Sequence, residues 1–297
     1  MSTTDITYKR NYFTDFKAIT KHRLALSVVF SSVAGYLIAV GREVDWQVLL
    51  LLSVGGYCMV GASNAYNQII ERDLDKLMDR TKNRPIPSGK ISVKMAFVIA
   101  TLLTIIGIAL LFIINPKSAF FGAISIFMYV SLYTPLKTKT PLAVFIGAFP
   151  GAIPFMLGWV AATNDFGIEP GTLFMMQFLW QFPHFWAIGW FLYEDYEKAG
   201  FFMLPTGKKD KATAAQTILY TVWTILASII PVFGFTGSLK LSVVAAIIVF
   251  LFGLGMLYYA ILLYRKMDAK TARQLMLASV SYITLVQIVY VIDKFLQ

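Results

Sequence analysis

The fold of this chain is decided by stretches such as residues 93–114, which read VKMAFVIATLLTIIGIALLFII. A helix needs about 20 predominantly apolar residues to cross a bilayer, and this stretch meets that length with one charged side chain, Lys94. Comparable stretches recur along all 297 residues. We therefore predict an all-α membrane protein, a single polytopic domain over residues 1–297 with nine transmembrane helices. The predicted spans are residues 24–40, 47–69, 93–114, 118–134, 141–162, 171–192, 214–235, 241–263 and 274–292.

The composition excludes most soluble classes of protein. Hydrophobic residues make up 58% of the chain and charged residues 14%, against about 25% charged residues in an ordinary soluble domain. A soluble chain of this length would lack the polar side chains to cover its surface. A soluble enzyme, a disulfide scaffold and a disordered protein are therefore excluded, and the single cysteine, Cys58, cannot form an intramolecular disulfide.

The net charge of +10 becomes a topology signal once the charges are assigned to the two sides of the predicted spans. Of the 26 Lys and Arg residues, 22 fall on the side of the N-terminus, and the other side holds only Arg42, Lys117, Lys240 and Lys294. Positively charged loops face the cytoplasm. We therefore predict a bacterial cytoplasmic (inner) membrane protein whose N-terminal segment, residues 1–22, and loops 70–92 and 193–213 are cytoplasmic. The C-terminus is predicted on the opposite side, and nucleic acid is not needed as a partner.

Four polar side chains at the end of the second span share a spacing of four residues: Asn67, Glu71, Asp75 and Asp79. Four residues turn a helix by about 400°, so the spacing predicts one stripe on a helix face. Stacked carboxylates repel one another unless a cation lies between them, and such oxygen ligands suit Mg²⁺ shared with phosphates. The alternative is a solvated loop of Glu–Lys pairs. It is disfavoured because the polar run begins inside the predicted span, at Asn64.

A second polar stripe lies on the sixth span, where Gln177, Gln181 and His184 are spaced i, i+4 and i+7. Asp195 follows His184 by eleven residues, which places it on the same face about 16 Å nearer the predicted cytoplasmic side. Glu194 precedes it. The two acidic loops, four spans apart on one side, are therefore predicted to face one central cavity, as in parallel repeats.

Basic side chains flank both acidic groups and complete the predicted site. The candidates for binding a diphosphate are Arg72, Arg80, Arg84, Lys137 and Lys21. A metal neutralises such an anion, and Arg and Lys stabilise the charge that develops on a leaving group. A diphosphate at the membrane boundary with a tail in the bilayer is an isoprenyl diphosphate, so these residues indicate a pocket for Mg²⁺ and that substrate.

Several strings between residues 15 and 290 resemble those of the UbiA-type intramembrane prenyltransferases. The run Asn67-Gln-Ile-Ile-Glu71-Arg-Asp-Leu-Asp75, followed by Arg80-Thr-Lys-Asn-Arg84-Pro, is similar to the first aspartate-rich motif of that superfamily. The strings that resemble its haem-farnesylating branch are Asn64-Ala-Tyr-Asn67, Tyr133-Thr-Pro-Leu-Lys137, Gly151-Ala-Ile-Pro154, Phe182-Pro-His184-Phe185 and Glu194-Asp195-Tyr196.

The resemblance implies a UbiA-like prenyltransferase fold of nine helices around a central cavity, with Mg²⁺ as the cofactor. The implied reaction transfers farnesyl from farnesyl diphosphate to a vinyl group of haem b and yields haem o for terminal oxidases. A haem-handling protein or haem a synthase is implied as a partner. The implied catalytic residues are Asn67, Glu71, Asp75, Glu194 and Asp195, of which Asn67, Glu71, Asp75 and Asp195 bind the metal; the implied acceptor side comprises His184, Gln181 and Asn64.

Five positions depart from the family pattern. Glu71 stands where many members have Asp, and the longer carboxylate can still reach a metal. Gln68 replaces an Asp of other branches, while His22, Ala143 and Phe155 replace a frequent Pro, Asn and Pro. The last three departures weaken the resemblance to the haem-farnesylating branch in detail and leave the diphosphate site unchanged.

Two other functions remain open at this point. A related prenyltransferase would act on an aromatic quinone precursor such as 4-hydroxybenzoate, and the acceptor distinguishes the two enzymes. A transporter would place paired polar residues near the membrane midplane on broken helices, whereas here they gather at one boundary. His184 is either a hydrogen-bonded structural residue or a contact to the haem iron or a propionate.

Overall fold

The structure is a computed structural model that describes residues 12–297, so the first half of the predicted cytoplasmic N-terminal segment, residues 1–11, lies outside the described range. Within that range the chain is helical and contains no β-strand. Each predicted span overlaps one long helix, which confirms the all-α prediction. The long helices are α1 His22–Val40, α2 Trp46–Ile70, α3 Val93–Ile114, α4 Pro116–Leu136, α5 Leu142–Thr163, α6 Ile168–Phe191, α7 Lys211–Phe233, α8 Val243–Lys266 and α9 Ala269–Leu296.

Eight of these helices are long and apolar enough to cross a membrane, as judged over residues 12–297. The exception is α6, which has 24 residues but carries Gln177, Gln181 and His184. Polar groups are costly in a membrane unless they face the interior of a bundle. Helix α6 packs against α5, α7 and α9, so its polar side chains have protein neighbours.

The helices form a ring in which each packs against the next and α9 closes onto α1. The α2–α3 and α6–α7 connections lie at one end of the ring, which we call the loop end. Contacts between distant segments hold this end together. Gln68 Nε2 donates to the Ile19 carbonyl at 2.7 Å, and the Phe202 N–H donates to the Lys137 carbonyl at 2.7 Å.

Helices α1 and α5 cross inside the ring with their backbones in contact. A Cβ atom on Gly158 would lie 2.0 Å from the Ser32 carbonyl oxygen, and one on Gly35 would lie 2.0 Å from the Phe155 carbonyl oxygen. Only glycine fits at both positions, as at other close crossings of membrane helices. The pair divides the core into one apolar cluster within α1–α5 and another shared by α1 and α5–α9.

Three short helices cover the loop end, namely Tyr12–Ile19, Arg72–Asp75 and Tyr193–Lys198. The first belongs to the packed structure, because Ile19 is fully buried in one apolar cluster with Ala65 of α2. The N-terminal segment and both long loops therefore lie over the ends of the same helices, and they bring charged side chains there.

Candidate active site

A buried ion pair joins the ends of α2 and α4. Glu71 directly follows α2, and Lys137 directly follows α4. Lys137 Nζ donates to Glu71 Oε1 at 2.7 Å, and only 9% and 4% of the two side chains is exposed. The same ammonium lies over the Tyr133 ring, 4.6 Å from its centroid. Charges buried to this degree require a partner, so the pair fixes α2 against α4.

A second buried ion pair forms within the first loop. Asp75 ends the short helix after α2, and its side chain is fully buried. Arg84 Nη1 donates to both carboxylate oxygens at 2.8 Å. Thr81 Oγ1 donates to the Asp75 carbonyl oxygen, also at 2.8 Å. The loop therefore folds back and brings Arg84 to the helix end that carries the acids.

The predicted stripe at the end of α2 extends to Asp75 and no further. The Glu71 N–H donates to the Asn67 carbonyl at 2.9 Å, and the Asp75 N–H to the Glu71 carbonyl at 2.7 Å; both are helical bonds. Asn67 Nδ2 donates to Thr134 Oγ1 at 3.3 Å. The prediction was wrong for Asp79, because the helix ends at Asp75 and Asp79 is exposed in the turns that follow.

Lys21 adds a third cation to these two pairs. It precedes α1 in a left-handed conformation, with φ 47° and ψ 55°, which costs a non-glycine residue about 1–2 kcal/mol. Burial, and then the charges of Arg84 and Lys137, lower the pKa of Lys21 to about 7, although the nearby carboxylates oppose this. No residue in the described range forms an ion pair with Lys21. A strained conformation of this kind is typical of functional sites.

These residues together form what we call the charged pocket: Asn67, Glu71, Asp75, Lys21, Arg84 and Lys137. It holds three basic side chains against two carboxylates, so it is positive when Lys21 is protonated, which suits a diphosphate. The described residues contain no group of three or more Asp, Glu, His or Cys side chains that could hold a metal. Mg²⁺ commonly takes only one or two carboxylates and completes its shell with substrate phosphates and water, so the oxygen donors present fit that ion.

A π-helical turn, Met128–Tyr133, positions Lys137. The Thr134 N–H bonds to the Tyr129 carbonyl five residues earlier, and Thr134 Oγ1 donates to the same carbonyl at 2.8 Å. The rings of Tyr129 and Tyr133 lie 5.2 Å apart beside the pocket. Tyr133 and Thr134 stand in a string that resembles the family, but no role was predicted for them, and Tyr129 was not predicted at all. The one available signal was Pro135, which has no N–H for the α-helical ladder; such turns often mark functional sites.

A small apolar cavity lies deeper in the bundle, between α1, α2, α3, α4 and α5. Its wall includes Val28 of α1 and Val60 of α2. Val28 lies seven residues after Lys21, and Val60 lies seven residues before Asn67. Seven residues span about 10 Å along a helix axis, so this is the depth of the cavity wall below the charged pocket. A ligand with a charged head and a hydrocarbon tail therefore matches the order of the two sites.

Asp195 connects the second loop to the first and lies outside the charged pocket. Its Oδ1 accepts from the Asp79 N–H at 2.7 Å, and its Oδ2 accepts from the Arg80 N–H at 3.3 Å. Lys198 Nζ donates to Asp79 Oδ2 at 2.5 Å. Hydrogen bonds from Lys198 and then Lys82 lower the pKa of Asp79 to about 2. The two acidic loops therefore contact each other directly through the Asp195 carboxylate.

Three other predicted site residues are exposed and have partners outside the pocket. Arg72 has 45% of its side chain exposed and pairs with Asp73. Glu194 has 67% exposed and pairs with Lys209. Arg80 is also exposed at the surface of the first loop. The structure therefore brings together Lys21, Arg84 and Lys137 of the five predicted diphosphate ligands.

The three predicted acceptor-side residues differ in what their polar atoms do. Asn64 Nδ2 donates to the carbonyls of Thr20, at 3.3 Å, and Val60, at 3.0 Å. Gln181 Nε2 donates to the Ala148 carbonyl at 2.8 Å. Both amides therefore hold helices together. His184 is half-buried, and its ring uses only one nitrogen for a hydrogen bond in the described structure.

Comparison with known proteins gives a consistent family and fold. Residues 28–283 match the model of the UbiA prenyltransferase family. The chain is 69% identical over 283 residues to a curated protein named protoheme IX farnesyltransferase from Christiangramia forsetii, covering 95% of this chain and 94% of that one. It is 67% identical to the protein of the same name from Flavobacterium psychrophilum, covering 97% of each.

Two solved structures show the same fold at low sequence identity. The structure of a digeranylgeranylglyceryl phosphate synthase superimposes with a TM-score of 0.78 at 19% identity, covering 96% of this chain and 99% of that one. A UbiA homologue from Archaeoglobus fulgidus, bound to DMAPP and Mg²⁺, superimposes with a TM-score of 0.67 at 14% identity, covering 92% and 98%. The predicted UbiA-like fold is confirmed.

Proposed function

The chain belongs to the UbiA prenyltransferase family of multi-pass membrane proteins, and we therefore propose that it transfers farnesyl from farnesyl diphosphate to a vinyl group of haem b. The observation that carries this proposal is the charged pocket with an apolar cavity below it. The choice of haem b as the acceptor is supported by the relatives at 69% and 67% identity, which are named protoheme IX farnesyltransferase.

The charged pocket would bind the diphosphate through Lys21, Lys137 and Arg84. Their N–H groups form charge-assisted bonds to phosphate oxygens and stabilise the negative charge that grows as the diphosphate leaves. Asn67, Glu71 and Asp75 would hold Mg²⁺, whereas Asp195, the fourth predicted ligand, bonds to the backbone of the first loop. When bound, the ion neutralises phosphate charge; a UbiA homologue bound to GPP and Mg²⁺ supports this cofactor.

The apolar walls of this cavity would line the path of the farnesyl chain and exclude water. When the allylic C–O bond breaks, its electron pair leaves with the diphosphate, and the walls protect the farnesyl cation from early capture. The terminal carbon of the haem vinyl group then forms the new C–C bond. Water adds to the adjacent carbon and loses a proton, which gives the hydroxyl of haem o.

The loop end would face the cytoplasm in the bacterial inner membrane, with the C-terminus on the other side. The excess of basic residues on the loop side supports this orientation. Delivery of haem by a haem-handling protein, or transfer to a haem a synthase, remains a prediction.

The test is to incubate membranes containing the protein with haem b, farnesyl diphosphate and Mg²⁺, and to follow the pigment by mass and absorbance. Haem o is expected, and its formation should stop when a chelator removes divalent ions. An Asp75→Ala variant should be inactive, whereas the matched Asp73→Ala variant in the exposed part of the same loop should remain active. Prenylation of 4-hydroxybenzoate with no change in haem b would overturn the choice of acceptor, and no prenylation of either would overturn the proposal.

A further inference from the structure

The histidine on the polar stripe of α6 is held on one side by a serine of α9. His184 Nδ1 lies 2.8 Å from Ser279 Oγ. The imidazole also stacks on the Trp180 ring, with 4.7 Å between centroids and 17° between planes. Trp180 Nε1 in turn donates to the Ser279 carbonyl at 2.7 Å. One residue of α9 therefore orients both rings, and the imidazole has a fixed plane and a fixed edge.

The hydrogen bonds of Ser279 determine which imidazole nitrogen carries the proton. Ser279 Oγ donates its only hydrogen to the Met276 carbonyl at 2.7 Å, since a carbonyl can only accept. The hydroxyl oxygen must then accept from His184, so Nδ1 is the protonated nitrogen. In the neutral ring, Nε2 consequently carries a lone pair.

That lone pair has no partner in the structure. Within residues 12–297, no hydrogen bond reaches His184 Nε2, and the atom is not among the fully buried unpaired ones. A purely structural histidine at this depth would be expected to satisfy both nitrogens. The pattern of one nitrogen fixed by a hydrogen bond and the other free is that of metal-binding histidines.

The depth of His184 below the loop end follows from its place on α6. It lies seven residues from Phe191, at which α6 ends, and therefore about 10 Å from the loop end along the helix axis. It shares its helix side with Gln177 and Gln181, whose amides bond to other protein groups. His184 is thus the member of that stripe with a free electron pair.

We propose that His184 Nε2 is the axial ligand of the iron of the acceptor haem, an inference that rests on the proposed function. Imidazole is a common axial ligand of haem iron in proteins. An iron held at a fixed imidazole sets the position and tilt of the porphyrin plane, and side chains at the porphyrin edge would set its rotation about the iron–nitrogen bond. Transfer to one of the two vinyl groups requires both.

The experiment is a titration of haem b into the purified full-length protein in nanodiscs, followed by absorption and EPR spectra. The chain has two histidines, so His22→Ala is the matched control for His184→Ala. Wild type and His22→Ala should give the same spectrum of histidine-ligated haem. His184→Ala should lose that spectrum, and adding imidazole to His184→Ala should restore it. Ser279→Ala should keep the ligand but weaken haem binding by about 10–100-fold, because the second partner is gone.

A wild-type spectrum in His184→Ala would overturn the inference. If that variant does not fold, His184→Met serves instead. A changed spectrum in His184→Met supports the inference, because a thioether would then replace imidazole as the iron ligand, and an unchanged spectrum overturns it. Haem o formation is measured on the same samples. Wild type that makes haem o, together with a His184 variant of unaltered spectrum, refutes the ligand and leaves the proposed function intact. Wild type that neither binds nor farnesylates haem b refutes the proposed function as well.

Discussion

Replacement of Lys137 by Met should destabilise the protein by about 3 kcal/mol, because it leaves Glu71 buried without its partner. The two side chains are 9% and 4% exposed and their charged atoms are 2.7 Å apart. Removal of one member of a buried pair costs about 3–5 kcal/mol. A cost at the low end of this range is expected, because the nearby Lys21 can compensate in part. The charge of Lys137 is one of those that lower the pKa of Lys21. Without Lys137, Lys21 holds its proton more firmly and partly balances Glu71.

The assay is equilibrium unfolding in mixed micelles, combined with the farnesylation assay. The double variant Glu71→Gln with Lys137→Met carries no unpaired charge, so it should recover most of the stability and none of the activity. The control is Lys76→Met, whose partner Asp73 lies at 2.8 Å but whose pair is 56% and 67% exposed; because solvent screens an exposed pair, its loss should leave the stability nearly unchanged. A Lys137→Met variant as stable as wild type would refute the energetic argument. A double variant with wild-type activity would refute the role of the pair in catalysis.

Asp75→Asn should lower the rate of farnesyl transfer about 100-fold, as loss of one electrostatic group at a reacting centre does, while Asp73→Asn changes it little; equal rates in initial-velocity assays would contradict this. The KM for farnesyl diphosphate should rise as pH increases through about 7, because burial and neighbouring cations lower the pKa of Lys21 to about 7 and the neutral amine binds phosphate poorly. Lys21→Arg should abolish that rise, and an unchanged pH profile would count against the assignment. Gly158→Ala should cost about 1–3 kcal/mol, because its Cβ would meet a backbone oxygen at 2.0 Å, whereas nothing lies within 4 Å of a Cβ on Gly255. Unfolding of Gly158→Ala at the same denaturant concentration as Gly255→Ala would refute the close crossing.

The part of the site at the end of α2 and in the short helix that follows could be predicted from spacing alone. Asn67, Glu71 and Asp75 are linked by i→i−4 bonds, so the period of the helix was sufficient. Asp79 has the same spacing, but the chain turns after Asp75 to bring Arg84 onto its carboxylate. The helix ends where the Asp75–Arg84 ion pair forms. The spacing of residues within the loop does not indicate this pair.

The contributions of distant segments were predicted less well. Asp195 lies at the expected loop but bonds to the backbone N–H of Asp79, a contact that depends on how two loops meet. Lys21 was predicted as a ligand, but its left-handed backbone depends on packing of the N-terminal helix. The spans themselves were predictable because their length and apolarity are local properties.

The π-helical turn Met128–Tyr133 also has a consequence for comparing this chain with its homologues. Deletion of one residue there would let the α-helical bonding pattern resume and would rotate the end of α4 by about 100°. Lys137 would then turn away from Glu71, although every motif residue would still be present. A homologue with a one-residue gap in this turn would still match every motif in an alignment. It would nevertheless lack the ion pair between Glu71 and Lys137. The number of residues between Pro116 and Lys137 is therefore as diagnostic of the site as their identities.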